Sequence, residues 1–157
     1  MDLSIPVEKI RGKQCVKDVQ ISLHNNWQKL HWRAIKASYN SAPFFEYYED
    51  DFAPFYEKKY QFLLDFNMDL FRLITILLGV ETNLNLTENY IDYHENDFRE
   101  IIHPKKSSYI DKTFADYSYY QVFSQKNGFI PNLSIIDLLF NMGNESRIVL
   151  KNTFIER

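Results

Sequence analysis

Leu3, Ile5 and Val7 alternate with Ser4, Pro6 and Glu8, a period of two that predicts a half-buried strand. Pro6 carries no N–H, which confines that strand to a sheet edge or makes this its end. Cys15, Val16, Val19, Ile21 and Leu23 form a second strand-like run, and Gly12 in the charged link between the two predicts a hairpin. A hairpin alone is barely stable, so it must pack on helices. The period then changes. Trp27, Leu30, His31, Ala34 and Ser38 share one helical face, with Trp32, Ile35 and Tyr39 in a stripe beside it. Asn25 or Asn26 is the predicted N-cap, and Pro43 ends the helix by pushing its predecessor out of the α region. Phe44, Phe45 and Tyr48 fall at i, i+3 and i+4 spacings that predict a short helix. Glu49, Asp50 and Asp51 then suit the N-terminal dipole of the next helix.

That next helix is predicted from Pro54, a good first helical residue, to Leu78, with Gly79 as its stop. Its buried stripe holds Phe55, Phe62, Leu63, Phe66, Leu70, Leu73, Ile74, Leu77 and Leu78. Asn67 lies on that stripe. A buried amide needs partners, so Asn67 is predicted to bond a neighbouring segment or to serve a ligand. Asn83 to Tyr90 alternates weakly as a third strand, and Tyr93 to His103 reads as a short helix ended by Pro104. Lys105 to Lys112 is polar and predicts a loop. Tyr117 to Phe123 has the alternation and the rings of a strand, and Gln125 to Gly128 reads as a turn. Ser134 and Asp137 have the S-x-x-D spacing of a helix cap; that helix ends at Gly143, and a last one covers Glu145 to Phe154. The pattern as a whole predicts an α+β fold: a mostly helical single domain, residues 1–157, with a small antiparallel or mixed β-sheet.

Composition narrows this. Hydrophobic content of 45% over 157 residues supports a real core. With four glycines and neither a GxGxxG nor a GxxxxGK[ST] motif, Gly-rich phosphate loops are nearly excluded. A net charge of −3 disfavours nucleic-acid binding through a broad basic surface. The one cysteine, Cys15, allows no internal disulfide and fits a reducing, cytoplasmic compartment; its alternating context predicts a small buried hydrophobe rather than a nucleophile. No secretory leader is visible, and the longest apolar run, Leu73 to Val80, is too short to span a bilayer.

The chemistry-bearing residues concentrate between His24 and Tyr48, which hold both tryptophans and two of the four histidines. On a face with Trp27, Leu30 and Ala34, His31 is more often a core-edge histidine; the sharper reading is a general base or substrate donor, because histidine titrates near neutrality. His24 and His31 are seven residues apart, which does not match the i, i+4 spacing of a two-histidine metal site. His94, Glu95, Asp97, Glu100 and His103 do not converge at a usual zinc spacing either and read as surface. No metal and no cofactor is expected. An aromatic content of 17% suits sugar stacking but more often means a core built of Phe.

Separated motifs carry a resemblance. They are Ile5-Pro6-Val7; Trp27 with His31; Tyr39 with Pro43 and Phe45; Asn67; Leu78-Gly79; Tyr119 with Gln121; and the run from Gly128 to Gly143, GFIPNLSIIDLLFNMG. In this order they resemble the WbqC-like protein family over nearly the whole chain. Family members usually begin with a further segment bearing an H-Q-P-x-Y-x-P-like strand and turn, which this chain lacks. The region between Gly79 and Tyr117 is also short beside forms with a Y-x-S-G insertion. The family is associated with O-antigen and other surface-polysaccharide gene clusters. The resemblance therefore implies a transferase adding glycine or another acyl group to an activated sugar. His31 would be the base, with Asp137 holding it, and Trp27, Tyr39, Asn67, Tyr119 and Gln121 would bind substrate, possibly a nucleotide-sugar. A non-catalytic sugar-binding or scaffold domain of the same pathway is the alternative.

Overall fold

The computed structural model describes residues 3–9, 12–95, 97–99 and 114–154. Helix α1, Trp27–Tyr39, is entered through a 3-10 turn at His24–Asn26. Asn26 occupies the N-cap position in the left-handed region, with no side-chain capping bond. Trp27, His31 and Ile35 are the buried residues of the helix. Leu30, expected on that face, is 57% exposed. The apolar arc of α1 is wide, so spacing alone left its rotation open, and its neighbours chose the i, i+4, i+8 row.

Helix α2 is Phe45–Glu57, longer than expected, with Pro54 inside rather than at a start. Proline removes one internal hydrogen bond and crowds the preceding turn, and the helix stops three residues later. Gln28 of α1 donates to the carbonyls of Phe55 and Lys58, at 3.2 and 2.6 Å; this satisfies oxygens that the last turn leaves orphaned. Helix α3 is Leu63–Leu77. The single helix expected from Pro54 to Leu78 is therefore two helices joined by the turn 58–62. Gly79, at φ 63°, closes α3: its N–H reaches the Ile76 carbonyl and the Val80 N–H reaches that of Thr75, the paired bonds of a Schellman end.

Residues 80–95, 97–99 and 114–123 are irregular and largely exposed, and a short α4, Ser124–Asn127, replaces the expected turn before Gly128. Helix α5, Ile135–Met142, leads through a 3-10 turn at Gly143–Glu145 into α6, Ser146–Thr153.

The small β-sheet predicted from the alternating segments is absent among the described residues. Isolated antiparallel bridges stand in its place, Val7 with Ile21, Gln20 with Phe62 and Phe114 with Phe154. The reason is local. Val16–Asp18 folds into a 3-10 turn, which cuts the second run short, and Pro6 contributes an acceptor but no donor to its pairing with Ser22. Segment 19–22 is instead shared: Ile21 donates to Gln61 and Val19 accepts from Leu63. Cys15 is exposed rather than buried. Residues 83–90 and 117–123 carry no strand, and 93–95 and 97–99 no helix; the remainder of the expected Tyr93–His103 helix and the loop 105–112 lie outside the described residues.

Two aromatic cores result. One joins α1, α2 and α5 through Ile35, Ala42, Phe45, Tyr48, Phe52, Leu139 and Phe140. The other joins the N-terminal segment and the start of α1 to α2 and α3, through Ile21, Trp27, Phe55, Tyr60 and Phe66. The high aromatic content is spent mainly on ring-to-ring packing, much of it edge-to-face.

Candidate functional site

Helix α5 is the scaffold of the site. Its residues Asp137 to Asn141 are all buried, so the two polar ones must find partners inside the protein. Asp137 is 6% exposed. Its N–H bonds the Ser134 carbonyl, and Ser134, although at the N-cap position, makes no side-chain capping bond. The carboxylate therefore does not close a capping box. It turns inward, where its Oδ2 accepts from the Tyr119 hydroxyl at 2.7 Å and from Gln121 Nε2 at 3.3 Å.

Gln121, 5% exposed, acts as a surrogate peptide. Its Nε2 donates to the Ile130 carbonyl and its Oε1 accepts the Ile130 N–H, both at 2.9 Å. Asn141 ties α5 to the segment before α4: its Nδ2 donates to the Asp137 carbonyl of its own helix at 2.8 Å, and its Oδ1 accepts the Val122 N–H at 3.0 Å. Side-chain amides thus supply the pairing that a strand at 117–123 would have taken from the backbone.

Tyr39, at the end of α1, completes the group. Its ring packs edge-on to Phe140 at 5.1 Å. Burial raises its phenol pKa, and the charge and hydrogen bond of Asp137 raise it further. Tyr119 is pushed up to about 12, again by burial first and then by its bond to Asp137. Both phenols remain protonated donors through neutral pH. No Lys or Arg forms an ion pair with Asp137 among the described residues. Hydrogen bonds alone hold this buried carboxylate, the arrangement that a buried acid requires when no counter-ion is supplied. Beside it lies a hollow of about 80 Å³, lined by Gln121, Val122, Asn127, Gly128, Leu133 and Asp137.

Four of the seven predicted site residues, Tyr39, Tyr119, Gln121 and Asp137, therefore meet. The other three do not join them. His31 lies eight residues before Tyr39, roughly 12 Å along the helix axis at 1.5 Å per residue. It faces the backbone of Ser4, not Asp137. Trp27 stacks edge-on to His31 at 5.1 Å and to Phe66 at 6.0 Å, and its Nε1 is buried without a hydrogen-bond partner among the described residues. Asn67 is exposed on α3 rather than buried in its stripe. Asn141 went unremarked in the sequence; an Asn amid the apolar run IIDLLFNM was the available signal.

Burial lowers the His31 pKa below its ordinary 6.5, which carries a prediction. Below pH 6.5 the unfolded chain takes up a proton that the folded chain resists, so stability falls as pH drops from 6.5 through the folded-state value. Urea midpoints measured from pH 7.5 to 5 should decline in wild type, and the part of that decline due to His31 should vanish in His31→Gln. Equal slopes in the two proteins would contradict it.

Asp97 is paired with Arg99, whose guanidinium and N–H hold its carboxyl down at about 2. No group of three His, Cys, Asp or Glu side chains among the described residues could hold a metal ion. Among the same residues no helix is long and apolar enough to cross a membrane.

Comparison with known proteins agrees with the order of the motifs. A model of the WbqC-like protein family matches residues 1–107 and 99–149. The chain is similar to the uncharacterized protein Rv1507c of Mycobacterium tuberculosis (strain ATCC 25618 / H37Rv), with 31% identity over 172 aligned positions covering 92% of this chain and 73% of the relative. No solved structure matches.

Proposed function

This chain belongs to the WbqC-like protein family, and from that premise we propose that it is a cytoplasmic transferase that moves an acyl group, such as glycyl, onto a hydroxyl of an activated sugar in surface-polysaccharide synthesis. The observation that carries the reading is the buried Asp137 carboxylate, held by Tyr119 and Gln121 beside a hollow. A carboxylate offers about four lone-pair sites, so capacity remains for a substrate hydroxyl. The hollow takes one hydroxyl-bearing edge of a sugar, and the rest of the ring stays outside.

In this reading Asp137 accepts the proton of the acceptor hydroxyl. The freed oxygen bonds the carbonyl carbon of an activated acyl donor, and the donor's leaving group departs with the proton that Asp137 returns. Tyr39 and Tyr119 donate their single hydroxyl protons to the carboxylate and orient it. His31 and Trp27 lie buried toward the other end of α1 and take no part in this step.

The test is an incubation with nucleotide-sugars and aminoacyl or thioester donors, read by mass spectrometry for a sugar carrying one added acyl group. Asp137→Asn keeps the size of the side chain and should lower kcat by roughly 10²–10⁴-fold, measured at a temperature where circular dichroism shows the variant folded. Tyr119→Phe should lose less. Product formed at the same rate by Asp137→Asn would remove the carboxylate from the chemistry. The separation of His31 from Asp137 favours a second reading, sugar binding without catalysis. In that case no donor gives product, and a saturable sugar signal in saturation-transfer spectra still depends on Asp137.

A further inference from the structure

The 58–62 turn between α2 and α3 carries a cationic edge. Gln28 holds its start at the Lys58 carbonyl, and segment 19–22 holds its end through Gln61 and Leu63. Two open clefts of about 350 and 400 Å³ flank the turn and share Lys59, Tyr60 and Gln61 in their walls. Both volumes fall within the range of small-molecule sites, roughly 300–1,000 Å³.

The larger cleft is lined by three basic side chains, Lys58, Lys59 and Arg72, and by two carboxylates, Asp65 and Asp69. Asp69, on α3, anchors three groups at once: Tyr60 donates its hydroxyl at 3.1 Å, Arg72 Nη1 lies at 3.2 Å and Lys58 Nζ at 3.9 Å. The Lys58 ammonium also sits over the Tyr60 ring, 4.7 Å from its centre. One carboxylate and one ring thereby draw two exposed cations to the same edge of the cleft. A guanidinium has five N–H donors, and Arg72 uses one of its nitrogens on Asp69 while its side chain stays 65% exposed. Lys59 lines the same cleft, exposed and outside the ion pairs formed among the described residues. Leu64, Met68 and Leu86 give the cleft an apolar side.

We propose that this cleft binds a nucleoside diphosphate, with its phosphates on Lys58, Lys59 and Arg72 and its base against Leu64, Met68 and Leu86. Two cations gathered at Asp69 and a third nearby match a small anion with more than one charged group, which guanidinium and ammonium groups recognise through charge-assisted hydrogen bonds. The apolar side matches a flat ring. In a chain of net charge −3, the three cations of this cleft outnumber its two carboxylates, Asp65 and Asp69. The site lies by the start of α1, away from Asp137, and does not depend on the Asp137 reading.

The experiment is titration of the full chain with UDP, GDP, dTDP and inorganic pyrophosphate, followed by calorimetry and by amide NMR. At least one nucleoside diphosphate should bind, shift amides of 58–72, weaken with added salt and bind more tightly than pyrophosphate. The double variant Lys59→Gln/Arg72→Gln removes two exposed charges and should weaken binding by roughly tenfold or more, with unchanged far-ultraviolet circular dichroism. No binding at millimolar nucleotide, or equal binding by the double variant, overturns the site. Pyrophosphate bound as tightly as any nucleotide overturns the assignment of the apolar side to a base.

Discussion

Phe140→Ala is expected to destabilise the protein by about 3–5 kcal/mol, the usual range for deleting a fully buried ring. Phe140 is 0% exposed and receives the edges or faces of Tyr39, Phe45 and Phe52 at 5.1, 5.1 and 5.2 Å. Those rings come from α1 and α2, so the vacancy opens where three helices meet and none can close it by a local shift. Each edge-to-face pair adds about 0.5–1.5 kcal/mol beyond area burial, which places this site at the upper end of the range. Urea denaturation should show a large fall in midpoint, with Phe140→Leu intermediate. A loss under about 1.5 kcal/mol, the scale of a tolerated hydrophobic swap, would mean that the core repacks. Tyr39 leans on Phe140, so Phe140→Ala should also loosen the phenol from Asp137.

Gly143→Ala is the second large effect, expected at roughly 3–5 kcal/mol from backbone strain and overpacking together. Gly143 stands at φ 54° and ψ −130°, a region that a side chain makes costly. A Cβ there would lie 2.6 Å from Cδ1 of Phe44. Phe44 donates its N–H to the Phe140 carbonyl at 2.9 Å, which keeps its backbone beside α5 and limits how far the ring can swing. The residue thus ends α5, admits the start of α2 and sets the turn into α6. Thermal melts of Gly143→Ala against wild type should show a Tm lower by roughly 10 °C. A shift of only a degree or two would show that Phe44 moves aside and that the backbone strain is small.

Legibility in the sequence followed the range of the interactions involved. Gly79 and Gly143 were readable as helix stops because a positive φ is a local demand on one residue. The α5 and α6 segments were readable because apolar spacing within eight residues reports a helix. Pro54 misled because proline suits a first turn, whereas α2 runs through it with Phe52 and Phe55 on either side packed into the two cores. The alternating runs misled in another way. A period of two records which side is buried, not whether a partner strand lies alongside, and here side chains of Gln121 and Asn141 supply bonds that a ladder would have made.

The amino-acid order by itself determined a largely helical chain rich in rings, the helix stops at Gly79 and Gly143 and, through separated motifs, its family, while the small sheet it also suggested is absent among the described residues. Those properties depend on neighbours within a turn or two. Tertiary structure alone decided which face of α1 is buried, that α2 and α3 are separate, and that Tyr39, Tyr119 and Gln121 converge on Asp137 while His31 and Asn67 stay apart. These outcomes rest on contacts between residues as far apart as Tyr39 and Asp137. At that separation, the rotation of each helix and the path of each connecting segment choose the partner, and periodicity carries no record of either.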